Sequence, residues 1–208
     1  MRHFAQKSKQ VTFVFSGSNR RLLRQMFENS SMPLYQLCDH IHLKKISVET
    51  YNEYLKLVAK KSLDYPFSNE LIAEIIQLSE RHPRRMNLLC LYFWRYIDLQ
   101  QRNPSITDVQ IAWQRLIDSE AKNIRFFLSK RNTSELKVLA YISIGNHIHL
   151  TSKVAQQTTD LSSTAISKAL QHLEEDDLII KQEDDSYHFV DPVIKAVIEK
   201  FERALIGV

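Results

Sequence analysis

From Asn132 onward the chain sets out one order of elements, and that order narrows the fold more than any other feature. Thr133 is placed to cap a helix over 135–143, which Gly145-Asn146 stops. The stretch "LTSKVAQQTTDL" predicts a second, short helix, with Asp160-Leu161 as its turn. In "SSTAISKALQHLEEDDLI" the apolar residues Ile166, Ala169, Leu170 and Leu173 recur at helical spacing, so a third helix follows. Two β-type runs, "LIIKQ" and "SYHFV", flank Glu183-Asp184-Asp185. Helix, helix, turn, helix and hairpin is the order of a winged helix-turn-helix. A last amphipathic helix begins at Asp191-Pro192, because proline fits a first helical turn.

The other end poses a different problem. "QVTFVFSGSNRRLLRQMF" (10–27) reads as an apolar strand, Val11, Phe13, Val14 and Phe15, entering Ser16-Gly17-Ser18 and then a basic helix over 19–28. Small polar residues after a buried strand are where open α/β sheets place ligand-binding loops. A parallel strand cannot bury both faces alone, so the reading expects a sheet supplied from upstream or strand pairing with a second copy. "LCDHIHL" (37–43) alternates like a short strand or extended segment. Helical spacing then dominates over 48–61, 69–81 and 84–101, with Ser68 fit to cap the second of these. Thr107 or Ser105 caps a further helix reaching about Ser129, and Leu91, Tyr92, Phe93, Trp94 and Trp113 are assigned to the core.

Composition removes several function classes. At 208 residues, 44% hydrophobic and 25% charged, the chain suits one large globular domain or two small ones. No apolar run approaches the roughly 18 residues of a membrane span, and "MRHFAQKSKQ" lacks a signal-peptide core. Cys38 and Cys90 have no metal-type spacing and read as reduced thiols, which with the missing signal leads to the expectation of a cytoplasmic protein. None of the 3 glycines forms GxxxxGK[ST] or GxGxxG. The pairs His40/His42 and His147/His149 lack an accompanying ligand cluster, so no metal is assigned to them. Charge is uneven: residues 1–125 hold 19 Lys/Arg against 12 Asp/Glu, net +7, and residues 126–208 hold 9 against 12, net −3. Such a split points to two modules with different surfaces.

Four stretches in order, "FVFSGSNRRLLRQMF", "SSMPLYQLCDHIHLKKIS", "RHPRRMNLLC" and "VDPVIKAVIEKF", carry a resemblance. Together they look like the C-terminal part of the archaeal-type P-loop ATPases of the AAA+/STAND group. The resemblance implies a mainly α fold: a remnant of the nucleotide-binding α/β core over 1–45 with one residual N-terminal strand, a helical lid over 46–130, and a winged-helix domain with a small β-hairpin over 131–208. It implies that the phosphate loop and Mg²⁺ site lie upstream, with ATP and Mg²⁺ in the full-length parent and no cofactor or metal bound by this chain alone. It also places a sensor-1 region at Ser16, Ser18, Arg20 and Arg21, where a small hydroxyl can position an attacking water or γ-phosphate oxygen. The turn Arg81, His82, Pro83 would lie near the nucleotide, but arginine stands where the family usually has glycine, which puts that contact in doubt if the turn needs φ > 0. Arg84 and Arg85 sit at the helix end that disfavours positive charge, a misfit that points to an anion or an acidic partner.

The third helix offers Ser163, Thr164, Ser167, Lys168 and Gln171 as candidate DNA contacts. The acidic run Glu174–Asp177 and the wing carboxylates Glu183–Asp185 repel phosphate and disfavour that use. The reading is thus a lid and docking module of an ATPase, inactive alone, that meets a protein partner or itself through the N-terminal strand and has no membrane association. The alternatives are a free-standing winged-helix DNA-binding regulator and a non-catalytic interaction protein derived from such an ATPase.

Overall fold

The structure, a computed structural model, describes residues 7, 10–17, 20–41, 43–62, 66–100 and 102–201; the side chains of Arg20, Arg21 and Ser62 also lie outside the description. It is mainly helical, with nine helices and one two-stranded antiparallel hairpin among the described residues. The chain divides into two compact units, residues 1–44 and 45–208.

In the first unit, α1 (Arg20–Glu28) follows the expected basic helix. The expected strand over 11–15 is not formed: residues 11–17 make no ladder among the described residues, since a strand needs a neighbour to hydrogen-bond. The apolar alternation still has an effect, because Phe15 packs against buried Phe27 with ring centroids 5.1 Å apart and Phe13 stacks beside it at 6.3 Å. Of the two forms expected over 37–43, a strand is not present among the described residues, and His42 lies outside them. His40 meets the edge of Phe27 and lies 3.8 Å from Glu28.

The second unit begins with α2 (Val48–Ser62), α3 (Asn69–Ser79), α4 (Pro83–Gln100) and α5 (Ile106–Leu128). Ser68 caps α3 by accepting the Leu71 N–H, as its position suggests. Of the two cap candidates for α5, Ser105 holds the position: its N–H donates to Asp108 Oδ2 at 2.8 Å in a capping box. Arg102 adds two bonds to the buried Asp108 carboxylate, at 2.8 and 2.6 Å, and holds its pKa below the usual range. α4 and α5 lie side by side. Ile72, Ile75, Leu89 and Phe93 fill the space between α3, α4 and α5, each contributing about 1.5–3 kcal/mol by leaving water. Of the run expected in the core, Tyr92, Trp94 and Trp113 are partly buried, and Leu91 is exposed, because four consecutive helical residues cannot all face one side.

The order of helices and strands expected over 132–201 is present. α6 (Thr133–Ser143), α7 (Lys153–Thr159), α8 (Ser163–Glu175), β1 (Ile179–Lys181), β2 (Tyr187–Phe189) and α9 (Pro192–Phe201) follow in that order. The α6 cap is Asn132, one residue ahead of Thr133, and it accepts the Glu135 N–H. Gly145 ends α6 at φ 99, a conformation that glycine adopts without strain. The wing loop Glu183-Asp184-Asp185 closes with Asp185 left-handed at φ 63, as a three-residue hairpin requires. One element escaped the sequence reading: His147 accepts the Tyr187 N–H at 2.8 Å and so extends the hairpin edge.

A continuous apolar core runs from Tyr51 on α2 to Ile198 on α9, through the 130/131 boundary expected between lid and winged helix. α9 packs on α3, α5 and α6, joining the two halves. Its N-terminus is fixed by a polar clamp. Arg85, only 4% exposed, donates from Nε to both Asp191 oxygens at 2.8 and 2.9 Å and from Nη2 to Oδ2 at 2.6 Å; Nη1 reaches Glu120 at 3.0 Å. Asp191 Oδ1 also accepts the Val193 N–H, which caps α9. The acidic partner suggested by the misplaced charge of Arg85 is therefore internal. Replacing Arg85 by Ala leaves two carboxylates facing each other without a cation, and should cost about 3–5 kcal/mol in urea unfolding. Arg85→Lys, which keeps the charge but loses the fork, should fall between it and wild type.

Candidate functional site

Two places hold most of the site residues expected from the sequence: the turn between α3 and α4, and the exposed face of α8. The turn is built on two successive left-handed residues, Glu80 at φ 47 and Arg81 at φ 58. The expected helix end at Arg81 therefore moves back to Ser79. A left-handed conformation costs a residue with a Cβ roughly 1–2 kcal/mol, and glycine far less. Local contacts hold the turn: Lys45 Nζ donates to the Glu80 carbonyl at 2.9 Å, Lys195 lies 3.6 Å from its carboxylate, and Arg81 reaches the Ile46 carbonyl at 3.5 Å. Pro83 opens α4, and His82 Nδ1 accepts the Arg85 N–H at 3.4 Å. One of the amides that a helix end could offer an anion is thus taken by the turn's own histidine. Burial pushes the His82 pKa down, with Asp191 pulling the other way.

The sensor-region residues are only partly described. Ser16 is exposed within the segment 11–17, which has no regular secondary structure. Ser18 lies outside the described residues, and Arg20 and Arg21 are placed only by the backbone of α1.

On α8, Thr164, Ser167, Lys168 and Gln171 share the exposed face while Ile166, Ala169, Leu170 and Leu173 are buried; Ser163 is half-buried. Ser162 caps the helix by accepting the Ala165 N–H, and Asp160 turns the chain at φ 52. An open groove of about 340 Å³ lies between α8 and the wing, lined by Ser167, Gln171 and Glu174 on one side and Lys181, Asp185 and Tyr187 on the other. Its charges are mostly paired or acidic. Lys181 binds Asp185 at 2.6 Å, and Gln171 donates to Glu175 at 3.1 Å. A duplex phosphate entering here would meet Glu174 and the wing carboxylates before an unengaged cation on the wing.

The histidines form an arrangement that i,i+2 spacing does not describe. His149 sits in a turn at φ 52, so it does not share a strand face with His147. Instead the His147 ring stacks on His188 at 4.5 Å, and Ser186 Oγ bridges His188 Nε2 at 2.9 Å and Asp184 at 2.6 Å. Among the described residues no three His, Cys, Asp or Glu side chains converge as a metal-binding group. Cys90 is buried, which pushes its thiol up to about 12, and Cys38 is half-buried. Among the same residues no helix is long and apolar enough to cross a membrane.

Two outcomes follow from this geometry. Arg81→Gly should stabilise the chain by up to about 1 kcal/mol in equilibrium unfolding, because relief of the left-handed strain exceeds the entropy glycine adds to the unfolded chain. His188, whose pKa burial and the adjacent His147 ring lower, binds fewer protons folded than unfolded. Stability should therefore fall as pH drops through about 6.5, by at most about 1.4 kcal/mol per pH unit for this group. The slope of stability against pH should be shallower in His188→Gln, although Asp184, Glu80 and Lys45 also act on the ring.

No family model matches the chain. No curated protein matches it either. Among solved structures, a Walker-type ATPase of Pyrococcus abyssi is similar over 95% of this chain, with a TM-score of 0.67 and 19% sequence identity. The match covers 56% of that chain, so this protein spans little more than half the length of its structural neighbour and shares the fold of that part.

Proposed function

We propose that this chain is the lid and winged-helix portion of an archaeal-type AAA+/STAND P-loop ATPase. The observation that carries the proposal is the likeness of 95% of the chain to about half of a Walker-type ATPase, in a sequence without GxxxxGK[ST]. The exposed apolar residues of the first unit support it. Val14 is 87%, Ile41 86% and Leu43 93% exposed, the sort of surface that a neighbouring α/β core would cover. Without a phosphate loop and a Mg²⁺ site the chain hydrolyses no ATP alone, since phosphoryl transfer depends on positioning and on charge neutralisation by the metal. Its role is that of a lid whose placement responds to bound nucleotide and whose winged helix docks a partner. In that role Ser16 or Ser18 would hold the attacking water, and the Arg81–Pro83 turn would lie beside the nucleotide. The domain division at 45/46 and 130/131 is part of this reading, with lid and winged helix moving as one body through their common core.

The exposed row Thr164, Ser167, Lys168 and Gln171 favours a second reading, a DNA-binding regulator. The acidic wing weighs against it.

Sequencing the coding DNA upstream of Met1 tests the first reading. An in-frame GxxxxGK[ST] within roughly 100–200 codons supports it, and an uninterrupted upstream frame without that motif removes it. In the longer chain, Ser16→Ala or Ser18→Ala should lower kcat roughly 10–100-fold with little change in KM for ATP.

A further inference from the structure

His147 and His188 hold the edge of the hairpin together, and their hydrogen-bond partners fix where each ring carries its proton. Tyr187 donates its N–H to the His147 carbonyl at 2.8 Å, and His147 Nδ1 lies 3.0 Å from the Tyr187 carbonyl. A carbonyl oxygen only accepts, so Nδ1 is the protonated nitrogen and His147 Nε2 is bare when the ring is neutral. Ser186 has one hydroxyl proton, and it donates that proton to the Asp184 carboxylate at 2.6 Å. The Ser186 oxygen must then accept from His188 Nε2 at 2.9 Å, which leaves His188 Nδ1 bare. Both rings are half-buried and stack at 4.5 Å, with 19° between their planes.

A further proton has two places to go, His147 Nε2 and His188 Nδ1. The first one faces a neutral ring. The second sets two imidazolium charges face to face at 4.5 Å in a half-buried place, where like charges repel strongly. Burial opposes charge on His188 most, and the His147 ring and Lys45 oppose it too. Glu80 of the α3–α4 turn and Asp184 of the wing loop favour it, although Glu80 is shared with Lys195 of α9, 3.6 Å away.

We infer that this pair is an acid-operated latch on the groove between α8 and the wing, closed with at most one proton and released from Tyr187 when both rings are charged. The latch belongs to the groove because Tyr187 on one side of it and His149, Leu150 and Thr151 on the other are all lining residues. Release at His147 lets the connection between α6 and α7 part from the hairpin, while the β1–β2 ladder keeps its own register. The open pair binds more protons than the closed one, so falling pH drives opening. For each proton taken up, the opening equilibrium rises by up to about tenfold per pH unit. The inference rests on the hairpin geometry and not on the ATPase reading, so a phosphate loop found upstream neither supports nor removes it.

Two measurements on the whole 208-residue chain test it. Nitrogen NMR of the rings just above neutral pH should find the proton on Nδ1 of His147 and on Nε2 of His188; the opposite tautomer at either ring overturns the latch. Amide exchange, corrected for the pH dependence of the chemical step, then follows opening between about pH 7 and pH 5. The Tyr187 amide should lose about tenfold in protection, together with the Ser152 amide that bonds the His149 carbonyl at 2.9 Å. The Val190 amide, bonded to the Leu178 carbonyl at 3.0 Å, should keep its protection. In His188→Gln the acid loss at Tyr187 should shrink to under about twofold, and His147→Phe, a stacked ring without charge, should fall between that variant and wild type. An equal loss at Val190 would mean that the whole hairpin opens and would overturn the inference, as would an undiminished acid loss at Tyr187 in His188→Gln. Should either variant fail to fold by circular dichroism, the wild-type tautomers and the contrast between Tyr187 and Val190 still decide.

Discussion

Arg85 is a cation in the first turn of a helix, buried to 4% exposure, where both the helix dipole and desolvation oppose its charge. It is tolerated because Asp191 and Glu120 supply four hydrogen bonds to its guanidinium. Burial pulls its pKa down, and the two carboxylates outweigh that and hold it above the usual arginine value. Such a pair is weak evidence of net stability, since an apolar replacement of the whole cluster could do as well. What it supplies is registry. α4, α5 and the start of α9 must meet at one point, and Asp191 both caps α9 and receives Arg85. The core from Tyr51 to Ile198 can therefore close across α2–α5 and α6–α9 without α9 sliding along its groove.

The parts of the fold readable from sequence are those governed by interactions a few residues long. Ser68 caps its helix as expected because a side-chain oxygen reaches an amide three residues on. The core stripe of α8 repeats at 3.6 residues, and the wing loop is a hairpin of local chemistry. What sequence misplaced depends on distant partners. The strand expected over 11–15 needs a neighbour to become one, and hydrophobic alternation records only a wish to be covered. The His147–Tyr187 bond links residues 40 apart, and no pattern around His147 announces it.

The candidate site was legible in the same uneven way. The face shared by Thr164, Ser167, Lys168 and Gln171 follows from helix period alone. The departure from glycine at Arg81 pointed to a conformation that the turn does adopt, φ 58, so the strain is real and is held by neighbours rather than avoided. Arg85 gave the most physical signal: a charge in the wrong place implies a partner, and only the fold shows that the partner is Asp191, 106 residues away.

The clamp also limits how any event at the α3–α4 turn could be felt elsewhere. Arg81 to Pro83 lie two to four residues from Arg85, and Arg85 touches the first turn of α9. A ligand that displaced the turn could act on the winged helix in two ways. It could part Arg85 from Asp191 and leave buried charge unpaired, or it could carry α2–α9 together with the clamp intact. The first path demands a ligand whose preference for the opened state exceeds several kcal/mol. The second requires only that contacts outside the shared core change, where far less buried charge and apolar surface is at stake. Motion as one body is the less costly path, and α6–α9 then follow the position of α2–α5 without rearranging.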